Sequence, residues 1–316
     1  MQPTTFPDNP LLAVCRQYFD AGLAPQSRIG YGYDWAMFER WCCEHQRAAI
    51  PPSAEAVAFF LVDQLTRLKV STARRRFSAI ARHYKDHGFT EWNQSGAIRL
   101  LRGAQRLRLE RPRQMRPITI AQLREMSAAL ERDGSPLAVR NRAVLLVGFA
   151  SALRSVNLAG LTLDDVEFVK AGLVLSIGRE KQDQEGRGRL VGIPHGKHAG
   201  TCAVQALRDW LAIRKEASTR RIFLGFYFNR NRQTAIPTSA KGICKIVKAC
   251  IRRIGVDPAP YGAHSLRAGF ITEAAEAGLS DLLIASHTGH RDVDMIRLYF
   301  RRTSVFRANA CAALDL

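Results

Sequence analysis

Apolar residues between positions 25 and 109 recur at helical rather than alternating spacing, which predicts helices without strands. Aromatic side chains dominate the first apolar stripe: Tyr31, Tyr33, Trp35, Phe38 and Trp41. Three further stripes follow: Ala56, Phe59, Phe60 and Leu61; Ala79, Ile80, Ala81 and Tyr84; Leu100, Leu101, Ala104 and Leu107. We expect Ser71 to be the N-cap of the third helix, because its hydroxyl can accept a hydrogen bond from the first turn.

The segment 110–118 interrupts this pattern. Pro112 and Pro117 cannot continue a helix because proline lacks an amide hydrogen, so we predict an extended linker there. A chain of 316 residues is also long for a single core, which favours two domains. We expect an N-terminal arm, a helical domain, the linker, a second domain and a C-terminal tail, over residues 1–24, 25–109, 110–118, 119–299 and 300–316.

The second domain combines helical and strand patterns. Ser135 and Pro136 are typical of an N-cap and a first helical position, so they open a helix that runs to residue 150. A helix over 119–130 precedes it, and a short helix that carries Arg154 and ends at Gly160 follows it. Alternating positions predict three strands, over 166–169, 173–177 and 189–193. Helices return over 201–216, 239–254 and 265–277, and two more start at Ser280 and Asp292. The expected fold class is mainly α with a small antiparallel β-sheet (α+β).

The chain is strongly basic, since 47 Lys and Arg residues oppose 28 Asp and Glu residues for a formal net charge of +19. Such an excess favours a polyanionic partner, with nucleic acid ahead of a membrane surface and of a merely solvated basic surface. The hydrophobic content of 47% is ample for packed domains. The longest apolar run, Ala143 to Ala150, is far shorter than the ~20 residues that a transmembrane helix needs.

Basic residues concentrate in the second half of the helical domain. From Ser71 to Arg116 there are twelve Arg or Lys residues against three Asp or Glu residues, more than solubility needs. We predict that this region contacts the DNA backbone. The candidate DNA-binding residues are Arg74, Arg75, Arg76, Arg82, Arg99, Arg102, Arg106 and Arg108.

Seven cysteines are scattered without a Cys-x-x-Cys pair. This is typical of reduced thiols rather than of a disulfide framework or a structural zinc site. The first residues contain neither a basic nor an apolar signal-peptide region, so we expect no secretory signal. We expect a cytoplasmic, nucleoid-associated bacterial protein that does not bind a membrane.

Six residues of the second domain form the candidate catalytic set: Arg154, Lys181, His264, Arg267, His290 and Tyr299. The two arginines can neutralise the non-bridging oxygens of a phosphate, and the two imidazoles can donate hydrogen bonds or shuttle protons. His264 and Arg267 are three residues apart and therefore share a helix face. Tyr299 can attack phosphorus once cationic neighbours or a base activate its hydroxyl. The set suffices for phosphodiester cleavage without a metal or another cofactor.

Lys181 and His290 each permit a second interpretation. Lys181 stands at the tip of the predicted hairpin, where it can protonate a leaving 5′ oxygen or be one more solvated turn residue. His287 and His290 form a pair that can be mistaken for a metal site, although no third ligand lies at a sensible spacing.

Four motifs, in order and spacing, closely resemble the tyrosine recombinase, or phage integrase, family of Cre- and Xer-like site-specific recombinases. Gly148 to Arg154 resembles the first arginine box, and Lys181 to Arg189 resembles the segment of the hairpin lysine. His264-Ser-Leu-Arg267-Ala-Gly-Phe and Thr-Gly-His290 with Tyr299 resemble the second box and the nucleophile. The basic helices and the linker are similar, more weakly, to the family's core-binding (SAM-like) DNA-binding domain.

The resemblance implies a two-domain, C-shaped clamp around a specific double-stranded DNA site, and a homotetramer on two synapsed sites. An accessory protein or a second recombinase is an optional partner. Tyr299 would attack one strand at a time to give a 3′-phosphotyrosine, and strand exchange would pass through a Holliday junction. Arg154 and Arg267 would clamp the phosphate, and Lys181 would be the general acid. His264 would be a base or hydrogen-bond partner, and His290 would stabilise the transition state.

Asn157 departs from the family, which usually has an acidic residue three positions after the first arginine. An acidic residue would orient neighbouring groups by its charge, whereas an amide can only form hydrogen bonds. The departure therefore concerns how the groups around the catalytic residues are arranged, and not the reaction. Residues 300–316 are rich in small and apolar side chains that suit a short helix. This tail would pack either on its own domain or, as is common in the family, on the neighbouring protomer.

Three functions remain open at the level of the sequence. A site-specific recombinase, acting on a mobile element or in replicon-dimer resolution, accounts for the full catalytic set on a basic two-domain chain. A type IB topoisomerase shares the chemistry but acts as a monomer that releases torsion. A DNA-binding accessory protein with an idle active site is the third alternative.

Overall fold

The computed structural model of the chain describes residues 25–110, 114–178, 188–227, 232–290 and 292–296, with a few positions between 11 and 22. The chain divides into two compact units, residues 1–113 and 114–316, and the division falls inside the predicted linker. Each unit has a hydrophobic core of its own. The predicted fold class, mainly helical with a small antiparallel sheet, is confirmed, and the second unit contains a second small sheet as well.

Four helices supply most of the core of the first unit: α1 (Pro25–Glu44), α2 (Ala54–Arg67), α3 (Val70–Asp86) and α4 (Ser95–Arg108). Aromatic side chains of these helices, together with Trp92 from the segment between α3 and α4, meet in the core. The rings of Phe38 and Phe60 have centroids 5.2 Å apart, and those of Tyr84 and Trp92 are 5.1 Å apart. Tyr84 is fully buried and donates its hydroxyl hydrogen to the Ala49 carbonyl at 2.8 Å, so the buried hydroxyl is satisfied.

The prediction that Ser71 is the N-cap of the third helix is wrong. Helix α3 begins at Val70, and its N-cap is Lys69, whose side chain makes no capping hydrogen bond. The Glu110 carboxylate, which follows α4, accepts the Val70 amide hydrogen at 3.1 Å. A carboxylate from a residue distant in sequence therefore accepts the amide hydrogen that a nearby hydroxyl would otherwise accept. It also places negative charge at the helix N-terminus.

Seven helices of the second unit have both ends described: α5 (Ile120–Asp133), α6 (Pro136–Ala150), α7 (Ser155–Gly160), α8 (Ala203–Ile213), α9 (Ala240–Arg253), α10 (His264–Glu276) and α11 (Asp281–Thr288). Residues 294–296 are helical as well. Short 3₁₀ turns cover Leu163–Asp165 and Ala199–Thr201. Helix α6 is buried on nearly all sides, which explains its long apolar run. Within the described ranges, no helix combines the length and apolar character needed to cross a bilayer.

Hydroxyl side chains begin several of these helices. Ser135, Ser239 and Ser280 each accept an amide hydrogen from the first turn of α6, α9 and α11. Thr119 does the same for α5, and the Gln122 side chain accepts the Thr119 amide hydrogen in return, which completes a capping box. The N-terminal ends of these helices are therefore fixed by local sequence.

The second unit contains two small antiparallel sheets. Strands β1 (Val166–Val169), β2 (Gly172–Ile177) and β3 (Arg189–Pro194) pair in the order β1-β2-β3, with Leu175 opposite Val191. Strands β4 (Leu224–Phe226) and β5 (Gln233–Pro237) form a hairpin that the sequence pattern did not predict. β4 has only three residues and β5 ends in proline, so neither gives a clear alternation.

The second half of the predicted linker attaches to the second unit. The amide of Arg116 donates to the Pro260 carbonyl at 2.9 Å, and that of Ile118 donates to the Ser265 carbonyl at 3.1 Å. Ile118 is fully buried. Gly269 makes this approach possible, because a Cβ there would overlap the Ile118 carbonyl oxygen and lie 2.9 Å from Phe149. The linker therefore rests on α10, the helix that carries His264 and Arg267.

Candidate active site

Arg267 is at the centre of the candidate site. It projects from the first turns of α10 and is 1% exposed. Its Nη1 atom donates to the carbonyls of Ala152 at 2.7 Å and of Thr288 at 2.8 Å, and its Nη2 atom lies 2.9 Å from Nε2 of His290. A buried cation requires such partners because desolvation of an unpaired charge is costly. The guanidinium thus connects the α6–α7 junction to the end of α11.

Arg154 is placed by an unusual bend between α6 and α7. Ala152 has a φ of +49° and is fully buried, and this left-handed conformation is uncommon for a residue with a side chain. The bend directs the Ala152 carbonyl towards Arg267 and leaves Arg154 as the half-buried N-cap of α7. Strained backbone of this kind concentrates at functional sites.

Close helix packing holds the two arginine segments together. Gly148 lies where α6 meets α7 and α10, and a Cβ there would be 2.8 Å from side-chain carbons of both Leu158 and Leu266. A methyl group therefore does not fit without displacing a neighbour. Gly148 thus lets α7, which Arg154 caps, and α10, which carries Arg267, approach the same buried helix.

His290 is held in one orientation by its own turn. It follows Gly289, the left-handed C-cap of α11, with a φ of +70°. The Thr288 hydroxyl donates to the Ile284 carbonyl at 2.6 Å and lies 2.7 Å from Nδ1 of His290. Since the hydroxyl hydrogen is used, Nδ1 is the donor in this contact, and Nε2 accepts from Arg267.

Burial and nearby cations favour the neutral form of both candidate histidines. Burial, followed by the charge of Arg267 and then of Arg154, lowers the pKa of His290 to about 4. The pKa of His264 is also lowered, first by partial desolvation of its ring and then by Arg267 and Arg154, although the residue as a whole remains exposed. The four groups are thus within electrostatic reach of one another, and a neutral imidazole can accept a proton or a hydrogen bond.

The structure brings together four of the six candidate catalytic residues: Arg154, His264, Arg267 and His290. Lys181 and Tyr299 lie outside the described residues. Asn157 is half-buried on α7, one turn after Arg154. Its carboxamide cannot supply the charge of an acidic residue at this point, so the positive field of the two arginines is not offset there.

His287 and Arg189 also belong to this region, although neither was among the candidate site residues. Nε2 of His287 donates to the Ala150 carbonyl at 2.8 Å, and its ring stacks on Phe270 with centroids 4.6 Å apart. Arg189 donates to the carbonyls of His287 at 2.8 Å and Thr288 at 3.4 Å. These contacts join residues far apart in sequence, so no local motif could have indicated them.

The contacts of His287 and His290 bear on whether the two rings could form a metal site. Both rings are engaged by protein groups, His287 by Ala150 and His290 by Thr288 and Arg267. In the part of the chain that the structure describes, no three His, Cys, Asp or Glu residues are grouped so that they could hold a metal ion.

The eight arginines predicted to bind DNA differ in their surroundings. All of them except Arg76 are exposed, and four of the exposed residues are Arg74 on α3 and Arg99, Arg102 and Arg106 on α4. Arg82 pairs with Asp86 at 2.8 Å, and Arg108 donates to the Leu68 carbonyl at 2.9 Å. DNA contact by these six residues stays a prediction.

Arg75 and Arg76 pair with the buried carboxylate of Asp34, at 2.8 Å and 3.7 Å. The Arg76 side chain is only 14% exposed and also donates to the side-chain oxygen of Gln64. This leaves little of its guanidinium surface for a phosphate. Arg76 therefore supports the fold of the first unit, whereas Arg75 keeps half of its side chain exposed.

Helix α9 presents a basic face that was not among the predicted sites. Lys241, Lys245 and Arg252 are exposed on it, whereas Ile243, Ile246 and Val247 are buried on the opposite face. Both the basic and the apolar residues recur at helical spacing, so the sequence shows an amphipathic pattern once the helix is recognised. The exposed cations make α9 a further candidate for contact with a polyanion.

Comparisons with known proteins agree with these features. The phage integrase family model matches residues 116–304. An integrase/recombinase of Selenomonas ruminantium, described as a xerD homolog, is 30% identical over 292 residues, which are 89% of this chain and 82% of that protein. The tyrosine recombinase XerD of Lacticaseibacillus casei is 25% identical over 297 residues, 92% of each protein.

Solved structures share the fold. The Tn1549 transposon integrase in complex with transposon right end DNA has a TM-score of 0.66 at 15% identity, over 97% of this chain and 99% of that chain. A lambda integrase dimer bound to a COC′ core site has a TM-score of 0.63 at 17% identity, over 92% of this chain and 93% of that chain. At these identities, the likeness concerns the fold.

Proposed function

Since the chain belongs to the phage integrase family and is a tyrosine-type site-specific DNA recombinase, we propose that it cleaves and rejoins DNA through a covalent 3′-phosphotyrosine at Tyr299. The main support for this proposal is the convergence of Arg154 and Arg267 with His264 and His290, whose pKa values are both lowered by burial and by the two arginines. Two guanidinium groups match the charge of a phosphodiester in its pentacoordinate transition state. The fixed partners of Arg267 mean that little reorganisation is needed during the reaction.

In the proposed cleavage step, the Tyr299 oxygen forms a bond to phosphorus while the bond to the 5′ oxygen breaks. The neutral imidazole of His264 takes the phenolic proton or holds it in a hydrogen bond. Lys181 gives a proton to the leaving 5′ oxygen. In the reverse sense, a 5′ hydroxyl attacks the phosphotyrosine, so the phosphodiester is restored and Tyr299 regains its proton. This exchange conserves the number of ester bonds and consumes no nucleotide.

The structure suggests a specific role for His290 within this proposal. Its Nε2 accepts from Arg267 and its Nδ1–H donates to Thr288. In this tautomer, the ring stabilises the transition state by orienting the guanidinium rather than by supplying a proton. Its pKa of about 4 keeps the ring neutral at the pH of a cell, as this role requires.

Further proposals concern the partners. We expect double-stranded DNA with specific sites, bound by the exposed arginines of α3 and α4 and by the basic face of α9. We also expect four copies of the chain to act on two synapsed sites through a Holliday junction, with an accessory protein or a second recombinase as an optional partner. The net charge of +19 supports the DNA partner, because each phosphate contact releases counterions.

A suicide substrate tests the cleavage proposal. A duplex with a nick close to the cleavage position loses the short 5′-hydroxyl fragment after attack, so the covalent protein–DNA adduct accumulates. Wild type is expected to form this adduct, and Tyr299→Phe is expected to form none while binding the same DNA. Tyr227→Phe is a matched control, because Tyr227 is an exposed tyrosine of the second unit, at 55% exposure. Adduct formation by Tyr299→Phe would show that another residue is the nucleophile.

A further inference from the structure

Arg189 makes a long-range contact with the turn that carries His290. It is the first residue of β3 and is half-buried. Its Nη1 atom donates to the carbonyl of His287 at 2.8 Å, and its Nη2 atom is 3.4 Å from the carbonyl of Thr288. These are the last two residues of α11, 98 and 99 positions further along the chain.

A hydrogen-bond donor at the C-terminal end of α11 stabilises carbonyls that the helix itself leaves without partners. The carbonyls of the last helical turn have no partners within the helix, and they concentrate the negative end of the helix dipole. The Thr288 carbonyl accepts from both Arg189 and Arg267. The same residue holds Nδ1 of His290 through its hydroxyl. Thr288 is therefore fixed by two guanidinium groups, and its position sets the orientation of the imidazole.

The backbone of Arg189 is well suited to act as an anchor. Arg189 lies opposite Ile177 in the register of β2 and β3. Gly188 has a φ of +64°, and a Cβ there would be 2.8 Å from the Ile177 carbonyl oxygen, so only glycine fits at the base of this hairpin. Alternate residues of both strands, Ile177 and Val191 among them, are buried in the core of the second unit.

We propose that Arg189 is a positioning residue that ties the base of the β2–β3 hairpin to the end of α11 and thereby holds His290 against Arg267. The proposal rests on the proposed function of the site. Arg189 acts through Thr288 and the backbone, and it takes no part in proton transfer. Without its guanidinium, the His287 carbonyl loses this donor, and the turn at Gly289 gains freedom. The imidazole then no longer keeps a single tautomer, and Arg267 loses a fixed acceptor.

The first test uses the protein without DNA. The chain has eight histidines, so ¹⁵N-histidine labelling gives a tractable imidazole spectrum, in which His290→Asn identifies the His290 signals. Wild type is expected to show the Nδ1–H tautomer of His290 at neutral pH. Arg189→Met should give averaged shifts of the two tautomers, and Arg189→Lys, which keeps a cationic donor, should retain much of the wild-type pattern. Arg220→Gln is the matched control, because it removes an exposed guanidinium that pairs with Asp164 elsewhere in the second unit.

The second test measures the rate of adduct formation on the nicked substrate, with DNA affinity measured in parallel. Arg189→Met should react about tenfold to a hundredfold more slowly at unchanged affinity, because small misplacements of catalytic groups have effects of that size. Arg189→Lys should be intermediate, and Arg220→Gln should match wild type. If Arg189→Met fails to fold, Arg189→Lys decides the matter. Slower adduct formation together with His290 shifts displaced towards the tautomer average supports the proposal, and a wild-type rate with a wild-type spectrum overturns it.

The spectrum and the adduct rate together separate the proposed role of Arg189 from the proposed function of the site. A wild-type tautomer and a wild-type rate in Arg189→Met would overturn the positioning role. If wild type itself forms no adduct on any nicked substrate, the proposed function fails, while the tautomer of His290 still decides whether Arg189 positions it. A slower rate with an unchanged tautomer would also contradict the proposal, since it would place the effect of Arg189 outside the His290 turn.

Discussion

Nη2 of Arg267 lies 2.9 Å from Nε2 of His290, although 23 positions separate the two residues in sequence. A buried arginine and a histidine are compatible at this distance because the imidazole is neutral and accepts the hydrogen bond. Other guanidinium hydrogen bonds go to the carbonyls of Ala152 and Thr288. The pair therefore links three segments of the second unit into one cationic site, and the predictions below follow from this connection.

The stability of the second unit should depend on the protonation of His290. Its pKa is about 4 in the folded chain and about 6.5 in an unfolded chain. Between these values the unfolded state binds more protons, so stability is lost as the pH falls below about 6.5. We expect urea unfolding to show that wild type loses on the order of 1 to 3 kcal/mol more than His290→Asn between pH 7 and pH 4.

Other histidines with lowered pKa values, such as His264 and His287, remain in the His290→Asn variant. The difference between the two pH profiles therefore reports His290 itself. Parallel profiles for wild type and variant would mean that the Arg267–His290 hydrogen bond does not depend on a neutral ring.

The two arginines should contribute equally to cleavage but unequally to stability. Arg267→Lys removes donors from buried carbonyls, so we expect it to lower the free energy of unfolding by about 1–3 kcal/mol. Arg154→Lys changes a half-buried residue at a helix N-terminus and should alter stability little. Both should reduce the rate of adduct formation by roughly 10²–10³-fold, the size of effect seen when a preorganised donor is removed. Urea unfolding and the suicide substrate measure the two quantities, and equal stability losses would contradict the assignment.

Gly269 should be intolerant of a methyl group. Gly269→Ala places a Cβ against the Ile118 carbonyl oxygen and the Phe149 ring, so either the linker or α10 must move. We expect a loss of about 1–3 kcal/mol in the free energy of unfolding, as for other overpacked sites. Gly103→Ala is the control, because Gly103 lies within α4 and an added Cβ there would meet no atom within 4 Å, so this variant should gain about 0.5–1 kcal/mol. A neutral Gly269→Ala would show that the linker packs less closely on α10 than these distances require.

The arginines of the first unit should separate into DNA-binding and structural classes. Arg102 is exposed, so Arg102→Gln should weaken DNA binding and reduce the slope of log affinity against log salt by about 1. Arg76 pairs with buried Asp34, so Arg76→Gln should instead cost about 1–3 kcal/mol of stability. Binding titrations at several salt concentrations and urea unfolding measure these effects. An unchanged salt slope for Arg102→Gln would remove this residue from the DNA-contacting surface.

Much of the fold could be predicted because local sequence determines it. Thr119, Ser135, Ser239 and Ser280 occupy N-cap positions, and a hydroxyl there acts on amides of the next few residues. His264 and Arg267 share a helix face through their spacing alone. These features need no knowledge of the tertiary structure, so the starts of these helices and the pairing of His264 with Arg267 followed from the sequence.

The features that the sequence did not reveal depend on tertiary contacts. The role of Arg189 arises from carbonyls 98 and 99 residues away, and the inward direction of Arg76 depends on the buried carboxylate of Asp34 on another helix. Ala152 adopts a positive φ although alanine has no intrinsic preference for it. The Ser71 cap failed for the same reason, because the Glu110 carboxylate from the end of another helix takes its place. The spacing of residues along the chain does not indicate contacts between residues on different helices and strands.

The central claim is that the Tyr299 oxygen becomes esterified to cleaved DNA, and peptide mass spectrometry tests it most directly. Adduct from a nicked substrate would be digested with nuclease and protease, and the modified peptide would be sequenced by fragmentation. We predict a nucleotide joined through phosphate to Tyr299, and to Tyr299 alone. A nucleotide on a different residue, or cleaved DNA with no nucleotide on the peptide that contains Tyr299, would contradict the account.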